Sequence, residues 1–223
     1  MKMDRSSIVP VAQITRHATL YPLSSILYLL LLLPTGCNLL GFAADKTVFA
    51  ERDARYILSK EPMVVIAENW RNPSGTAIDA EQIEREVYEN LRDHKIGPQI
   101  DPTAVIDLQS QRSDFATMSI AQIGKLVGAK QVVYVNLTET SLIAAEGSDV
   151  LNGKVTARVK VVDVETGQAR WPTDAADGFP VSVSTPMAMA RDEPHETALR
   201  EKLLATAADK ISRLFYKARD DDE

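Results

Sequence analysis

The sequence predicts an α/β fold, a single domain in which helices flank a mixed β-sheet. The predicted order of elements is β-α-(β)-α-α-β-β-β-α, and the last helix is long. Three observations predict this class. Residues 63–67 form a continuous apolar run, residues 83–91 carry an apolar stripe at helical spacing, and residues 153–165 alternate between apolar and polar side chains.

The first predicted strand is the run "MVVIA", residues 63–67, which lies between Pro62 and a polar loop. A short, unbroken apolar run rich in β-branched residues is typical of a strand that is covered on both faces. The segment before it, residues 38–61, is mixed and charged. The thin apolar spacing of residues 50–60 allows at most a short helix there.

The first long helix is predicted from Ile83, Val87 and Leu91, which recur every four residues. Asp79 is the expected N-cap, because Gln82 follows three residues later and completes the pattern of a capping box. Four glutamates are expected on the solvated faces of this helix: Glu81, Glu84, Glu86 and Glu89.

Two shorter helices are predicted next. The first helix should end at residues 97–98, Gly-Pro, and residues 99–100 are a candidate short strand. Asp101 and Pro102 then have the pattern of a cap and a first-turn proline, opening a helix through residue 108. A further helix is expected from Ser119 to the glycine at position 128.

The second half of the chain is predicted to be mainly strand. Residues 131–140 and 153–165 alternate and are rich in valine, and the second of these should have one wet face. Shorter strands are expected at residues 168–171 and 179–184. A long amphipathic helix is expected over residues 195–217.

The amino-terminal segment has the charge and hydropathy of an export signal. The formal net charge is −6, and the first 36 residues carry +2, which leaves −8 for the remainder. Residues 26–33 are an apolar run that suits the core of a signal peptide and is short of the roughly 20 residues that span a bilayer. The only cysteine, Cys37, follows this run, so an internal disulfide is excluded.

The stretch "LPTGC", residues 33–37, resembles the lipobox of bacterial lipoproteins, although Pro34 occupies the position where leucine is usual. The resemblance implies that residues 1–36 are a signal peptide with a lipobox, that Cys37 is the lipid-attachment site, and that residues 37–61 are an anchor-proximal linker. Two alternatives remain open: an uncleaved anchor and ordinary cleavage near residues 41–43. Asn38, in place of an aspartate, favours the outer membrane over the inner membrane.

Three segments of the body resemble one group of envelope proteins: "VVIAENWRNPSG" (64–75), "IGKLVGAKQVVYVNLTET" (123–140) and "VKVVDVETGQARW" (159–171). They are similar to the amino-terminal domain of TolB, to curli secretion channels and to the lipoprotein activators of penicillin-binding proteins. The resemblance implies an α/β envelope domain over residues 62–217, followed by an acidic tail over residues 218–223. Members of this group include docking proteins and oligomeric pores.

The sequence contains no recognisable catalytic, metal-binding or phosphate-binding motif, so no catalytic residue, metal or cofactor is expected. The three histidines are isolated from one another in sequence. The acidic composition argues against binding to nucleic acid, which usually requires a basic surface. Trp70, Arg71 and Asn72 lie in the predicted loop after the first strand and are candidate partner contacts, with a tryptophan folded over the sheet edge as the alternative.

The sequence therefore predicts a non-enzymatic envelope lipoprotein that acts as a protein-interaction module on the periplasmic side of a membrane. Its expected partners are the membrane, through the lipid, and another envelope protein or a second copy of itself. One alternative is a periplasmic enzyme or ligand-binding protein whose site is assembled from scattered residues. Another is a subunit of an oligomeric outer-membrane secretion channel, which the short polar segment 141–152 does not favour.

Overall fold

A mixed sheet of six strands organises the body of the protein. The computed structural model describes residues 51–69, 76–144, 150–185, 189–190 and 193–219. The first strand, β1 (Glu51–Arg52), stands outside the main sheet. The main sheet consists of β2 (Met63–Glu68), β3 (Gln131–Ala144), β4 (Val150–Asp163), β5 (Ala169–Trp171), β6 (Phe179–Ser184) and β7 (Met189–Ala190), and β8 (Ala218–Arg219) pairs with β1.

The sheet order confirms the predicted mixed topology. β2 and β3 run parallel, with Met63 opposite Gln131, whereas β3 and β4 form a long antiparallel pair. The other side of β4 is occupied by three short strands in succession, β5, β6 and β7, all antiparallel to it. A parallel pair needs a long crossover, and the helical segment between β2 and β3 provides it.

Helices pack on both faces of the sheet, as the sequence predicts. The described helices are α1 (Ala77–Asp93), α2 (Thr103–Gln111), α3 (Ile120–Leu126) and α4 (Glu193–Ser212), with a short 3-10 turn at Phe115–Thr117. The main core lies between the sheet and α1 with α4. A second core lies between β2, β3 and the pair α2 and α3 on the opposite face.

The predicted periodicities are confirmed by burial. Ile83, Val87 and Leu91 on α1 are completely buried. Along β4, alternate valine and alanine side chains are buried while Lys154 is exposed and Arg158 is partly exposed. This is the expected pattern of an antiparallel strand with one face on the core and one face towards water.

The predicted start of α1 is wrong by three residues. The N-cap is Thr76, whose hydroxyl oxygen accepts a hydrogen bond from the Asp79 amide, while the Asp79 carboxylate accepts one from the Thr76 amide at 2.7 Å. Asp79 is therefore the third residue of the helix, the N3 position of the capping box. Threonine caps a helix in the same way as aspartate, so the residue type alone does not decide between Thr76 and Asp79 as the N-cap.

Several predicted ends also differ from the structure. β3 continues past its predicted end to Ala144 and β4 begins before its predicted start, at Val150, because the two strands supply each other with backbone partners there. β4 ends at Asp163, two residues before its predicted end. The last helix ends at Ser212, where the Phe215 amide bonds to the Ser212 carbonyl in a tight turn. Residues 99–100 contribute only an isolated bridge to Met63. The short helix allowed over residues 50–60 is absent from the described part, residues 51–60, which instead contains β1.

A buried ion pair joins the two helices of the main core. Arg200 donates two hydrogen bonds to the Asp79 carboxylate, from Nε at 2.6 Å and from Nη2 at 2.5 Å. Asp79 is only 1 % exposed. Burial opposes ionisation of Asp79, but hydrogen bonds from Arg200 and Thr76 outweigh it and hold its pKa below the usual value. This ion pair joins the first turn of α1 to α4.

A second cluster of charged and polar side chains joins the segment before β2 to the sheet. Arg170 on β5 contacts the carboxylates of Asp163 and Glu61 at 2.6 and 2.7 Å and the Ser59 hydroxyl at 3.1 Å. Hydrogen bonds from the Thr166 amide and from Arg170 lower the pKa of Asp163 to about 2. Nothing in the sequence pattern relates these four residues, which lie up to 111 positions apart.

The segment assigned to the linker also contacts the end of the chain. β1 and β8 pair, and the Arg55 amide donates to the Leu214 carbonyl at 2.8 Å. Tyr56 packs against the main core and stacks on Trp171. Residues 51–61 are therefore part of the folded unit.

Replacing Arg200 by methionine should lower the free energy of unfolding by about 3 kcal/mol, because Asp79 would retain a buried charge without its guanidinium partner. Urea unfolding measures this. The matched control is Arg112→Met, which breaks an exposed pair with Asp114 and should leave the free energy of unfolding nearly unchanged. Equal losses in the two variants would contradict the role assigned to Arg200.

Candidate interaction site

A groove of about 730 Å³ opens at the carboxyl end of β2. One wall is formed by α1, and the other by α2, the 3-10 turn and the start of α3. The floor is formed by the ends of β2 and by Tyr134 of β3. Ligands of open α/β sheets commonly bind outside the carboxyl ends of parallel strands, so the position of the groove makes it a candidate site.

The two walls differ in chemistry. The wall opposite α1 presents apolar side chains, and one of them, Ile106, is 52 % exposed. The side of α1 presents Glu81 and Glu84, and the floor adds Glu68. Among the described lining residues there is no lysine, arginine or histidine. The other apolar side chains of that wall are Val105, Phe115, Ala116, Met118 and Ile120.

Glu84 is held in the groove by the backbone. Its carboxylate accepts a hydrogen bond from the Ala67 amide of β2 at 2.9 Å. Burial raises the pKa of Glu84 to about 7, against that hydrogen bond, and the neighbouring carboxylates of Glu81 and Glu68 raise it further. A carboxyl group in this position changes charge close to neutral pH.

The sequence prediction for Glu84 is therefore wrong: this side chain is partly buried and hydrogen-bonded rather than on a solvated face. A signal was present in the sequence. Ala80, Ile83, Glu84 and Val87 have the spacing i, i+3, i+4, i+7, which places Glu84 at the edge of the apolar stripe. A glutamate at such a position is a candidate for a functional group.

Glu68 is oriented by the neighbouring strand. The Tyr134 hydroxyl donates to its carboxylate at 2.9 Å, and the two residues lie on the parallel strands β2 and β3. This hydrogen bond fixes one carboxylate at the floor of the groove. Together, Glu68 and Glu84 are positioned by elements that are distant in sequence.

The residues that the sequence singled out lie outside the described ranges. These are Cys37 and the loop residues Trp70, Arg71 and Asn72. The ends of that loop are described. The Asn69 side-chain amide donates to the Thr76 carbonyl, which holds these two flanking residues together, and Asn69 itself lines the groove.

Other chemistry is sparse in the part of the chain that the structure describes. No group of three or more His, Cys, Asp or Glu side chains there is arranged to hold a metal ion. No helix within those ranges combines the length and the apolar character needed to cross a bilayer. His94 lies at the end of α1, with its Nδ1 2.8 Å from the Asn90 carbonyl oxygen and its ring stacked on Tyr216.

An α/β domain with an open groove that is apolar on one side and acidic on the other has the features of a protein-interaction module. Residues 47–176, more than half of the chain, match the family model described as Peptidoglycan-synthase activator LpoB. The chain belongs to this family. Such an activator acts on another protein of the cell envelope, so the protein is an envelope interaction module, as the sequence predicts.

The solved structures that match the chain are distant in sequence. Lipoprotein GNA1162 from Neisseria meningitidis is 14% identical, with a TM-score of 0.44 over 68% of this chain and 97% of that one. A PelC dodecamer from Paraburkholderia phytofirmans is 17% identical, with a TM-score of 0.40 over 76% and 99%. The LpoB C-terminal domain from Salmonella enterica is 16% identical, with a TM-score of 0.35 over 59% and 87%. No curated protein sequence matches the chain.

The raised pKa of Glu84 predicts a specific dependence of stability on pH. The folded protein binds the Glu84 proton more tightly than the unfolded chain does, so stability falls as the pH rises from 4.5 towards about 7. The variant Glu84→Gln should be about as stable as wild type near pH 4.5 and about 3 kcal/mol more stable at pH 8.

Urea unfolding at the two pH values measures the difference. The control is Glu89→Gln, which removes an exposed carboxylate from the same helix and should follow wild type at both pH values. Parallel behaviour of Glu84→Gln and wild type would show that Glu84 titrates like an exposed glutamate.

Proposed function

We propose that this protein is a lipid-anchored activator that docks on a peptidoglycan synthase in the bacterial envelope and catalyses no reaction itself. The match of residues 47–176 to the activator family carries this proposal. The matched range includes every residue that lines the groove. An open surface with apolar and charged parts is typical of a site that recognises another protein.

The anchor is proposed to be a lipid on Cys37. The thiol is the nucleophile that such a modification requires, and Cys37 follows an apolar run of signal-peptide length. Stable attachment needs more than one acyl chain, because a single chain binds a membrane weakly and reversibly. Asn38 after the cysteine supports the outer membrane as the destination, with the domain on its periplasmic side.

The proposed anchor lies close in sequence to the fold. β1 begins at Glu51, so residues 38–50 separate it from Cys37. Even fully extended, a segment of this length spans at most about 45–50 Å. The start of β1 would therefore lie within this distance of the membrane that holds the lipid, and the width of the domain itself adds to the reach of its docking surface.

The purified full-length protein, kept in detergent, should bind a purified peptidoglycan synthase of the same bacterium and raise its rate of glycan synthesis several-fold. The reason is that an activator supplies binding free energy to the active state of its target. Co-sedimentation measures binding, and product formation measures the rate. The protein alone should make no product. Failure to bind or stimulate any synthase of that bacterium would overturn the proposal.

Replacing Cys37 by serine should abolish incorporation of labelled palmitate, because a hydroxyl is a much weaker nucleophile than a thiolate. Wild type should incorporate the label and migrate below the precursor mass, and Cys37→Ser should remain at that mass. Asn38→Asp is the control that keeps the thiol and should still be labelled. An unlabelled wild-type protein would rule out the lipid anchor.

A further inference from the structure

We propose that the groove between α1 and α2 receives a lysine or arginine side chain from the peptidoglycan synthase. The groove then determines which segment of the partner is recognised. This inference rests on the proposed function, since it assigns that docking event to one surface. The occupant is identified by charge, by the shape of the groove and by the backbone edge beside it.

The charge of the groove favours a cation. Glu68, Glu81 and Glu84 converge on it, and no lysine or arginine of the described residues forms an ion pair with them. The Asp79 carboxylate, one turn away on α1, is by contrast paired with Arg200. A partner cation would therefore meet carboxylates that the described part of the fold leaves without a counter-ion.

The apolar wall favours a cation on a long stem. Ile106 is half exposed, and Phe115 and Met118 lie on the same wall. Lysine and arginine side chains carry three or four methylene groups below the charged head, and they bury those groups along apolar surfaces. A single such side chain can contact both the apolar wall and the carboxylates of the groove. Arginine is one of the residue types that most often dominate the free energy of an interface.

The hydrogen bonds at the outer edge of β2 favour a partner side chain, rather than an added β-strand, as the occupant of this site. The outward amide of Ala67 already donates to Glu84. At the other end of the strand, the Met63 amide donates to the Pro98 carbonyl and the Met63 carbonyl accepts from Ile100. A peptide adding to this edge would have to displace these hydrogen bonds. Recognition by β-augmentation is therefore disfavoured.

The ionisation of Glu84 should make the interaction depend on pH. The titratable groups facing it are Glu81 on its own helix, Glu68 on β2 and, through Glu68, the hydroxyl of Tyr134 on β3; the described part of the opposite wall brings no charged side chain to the groove. Raising the pH from 6 to 8 completes ionisation of Glu84. Affinity for a cationic anchor should rise over this range.

The test measures binding of the purified synthase to the full-length protein. The double variant Glu81→Gln/Glu84→Gln should weaken binding about 30-fold or more and remove its rise with pH, because a desolvated charge pair is lost. The matched control removes two exposed carboxylates outside the groove, as Glu89→Gln/Glu165→Gln, and should bind within about twofold of wild type.

A second pair of variants tests the apolar wall. Ile106→Ser should weaken binding about fivefold or more, because the stem of the anchor loses its contact surface. Leu126→Ser is the matched control, since Leu126 is 51 % exposed against 52 % for Ile106 and lies outside the groove. Urea unfolding of all four variants shows whether each is folded.

The outcomes separate this inference from the proposed function. If wild type binds the synthase and both groove variants bind equally well, the docking surface lies elsewhere and this inference is overturned while the proposed function stands. If wild type binds no synthase, the proposed function itself fails. Loss of binding in both groove variants, with both controls intact, supports the inference.

Discussion

The position of α1 depends on one carboxylate. Asp79 closes the capping box with Thr76 and, with the same carboxylate, pairs with Arg200 on α4. Two helices that are more than a hundred residues apart in sequence are thereby aligned on one face of the sheet. The groove wall is formed by the first two turns of α1, so the direction in which Glu81 and Glu84 point follows from this contact.

The buried carboxylate of Glu84 in the groove lowers the stability of the folded protein. The pair of Asp79 with Arg200 is compensated by charge, whereas Glu84 is buried against carboxylates and pairs only with a backbone amide. Groups that lower stability in the folded protein are commonly found at functional sites, where a partner supplies what the fold leaves out. A lysine or arginine side chain from a partner would compensate the buried negative charge of Glu84.

The elements with a strong period were predictable, and the contacts between them were not. The stripe of α1 and the alternation of β4 predicted both their type and their buried faces, because each pattern reflects local geometry. The sequence pattern predicts a cap at Asp79, because aspartate is a good cap and threonine is a good cap as well. Only the pairing with Arg200 shows that Asp79 is needed inside the first turn. The spacing of the large apolar side chains, taken alone, predicts a surface position for Glu84.

By itself, the sequence determined the class of fold, the order of its elements and the export character of its first 36 residues, since periodicity, charge and hydropathy are local properties. The tertiary structure alone decided where β1 and β8 meet, how Arg170 joins Glu61 to Asp163, and which glutamates share a groove. These depend on contacts between residues far apart in the chain. Their free energy comes from burial and pairing that exist only once the sheet and helices have packed.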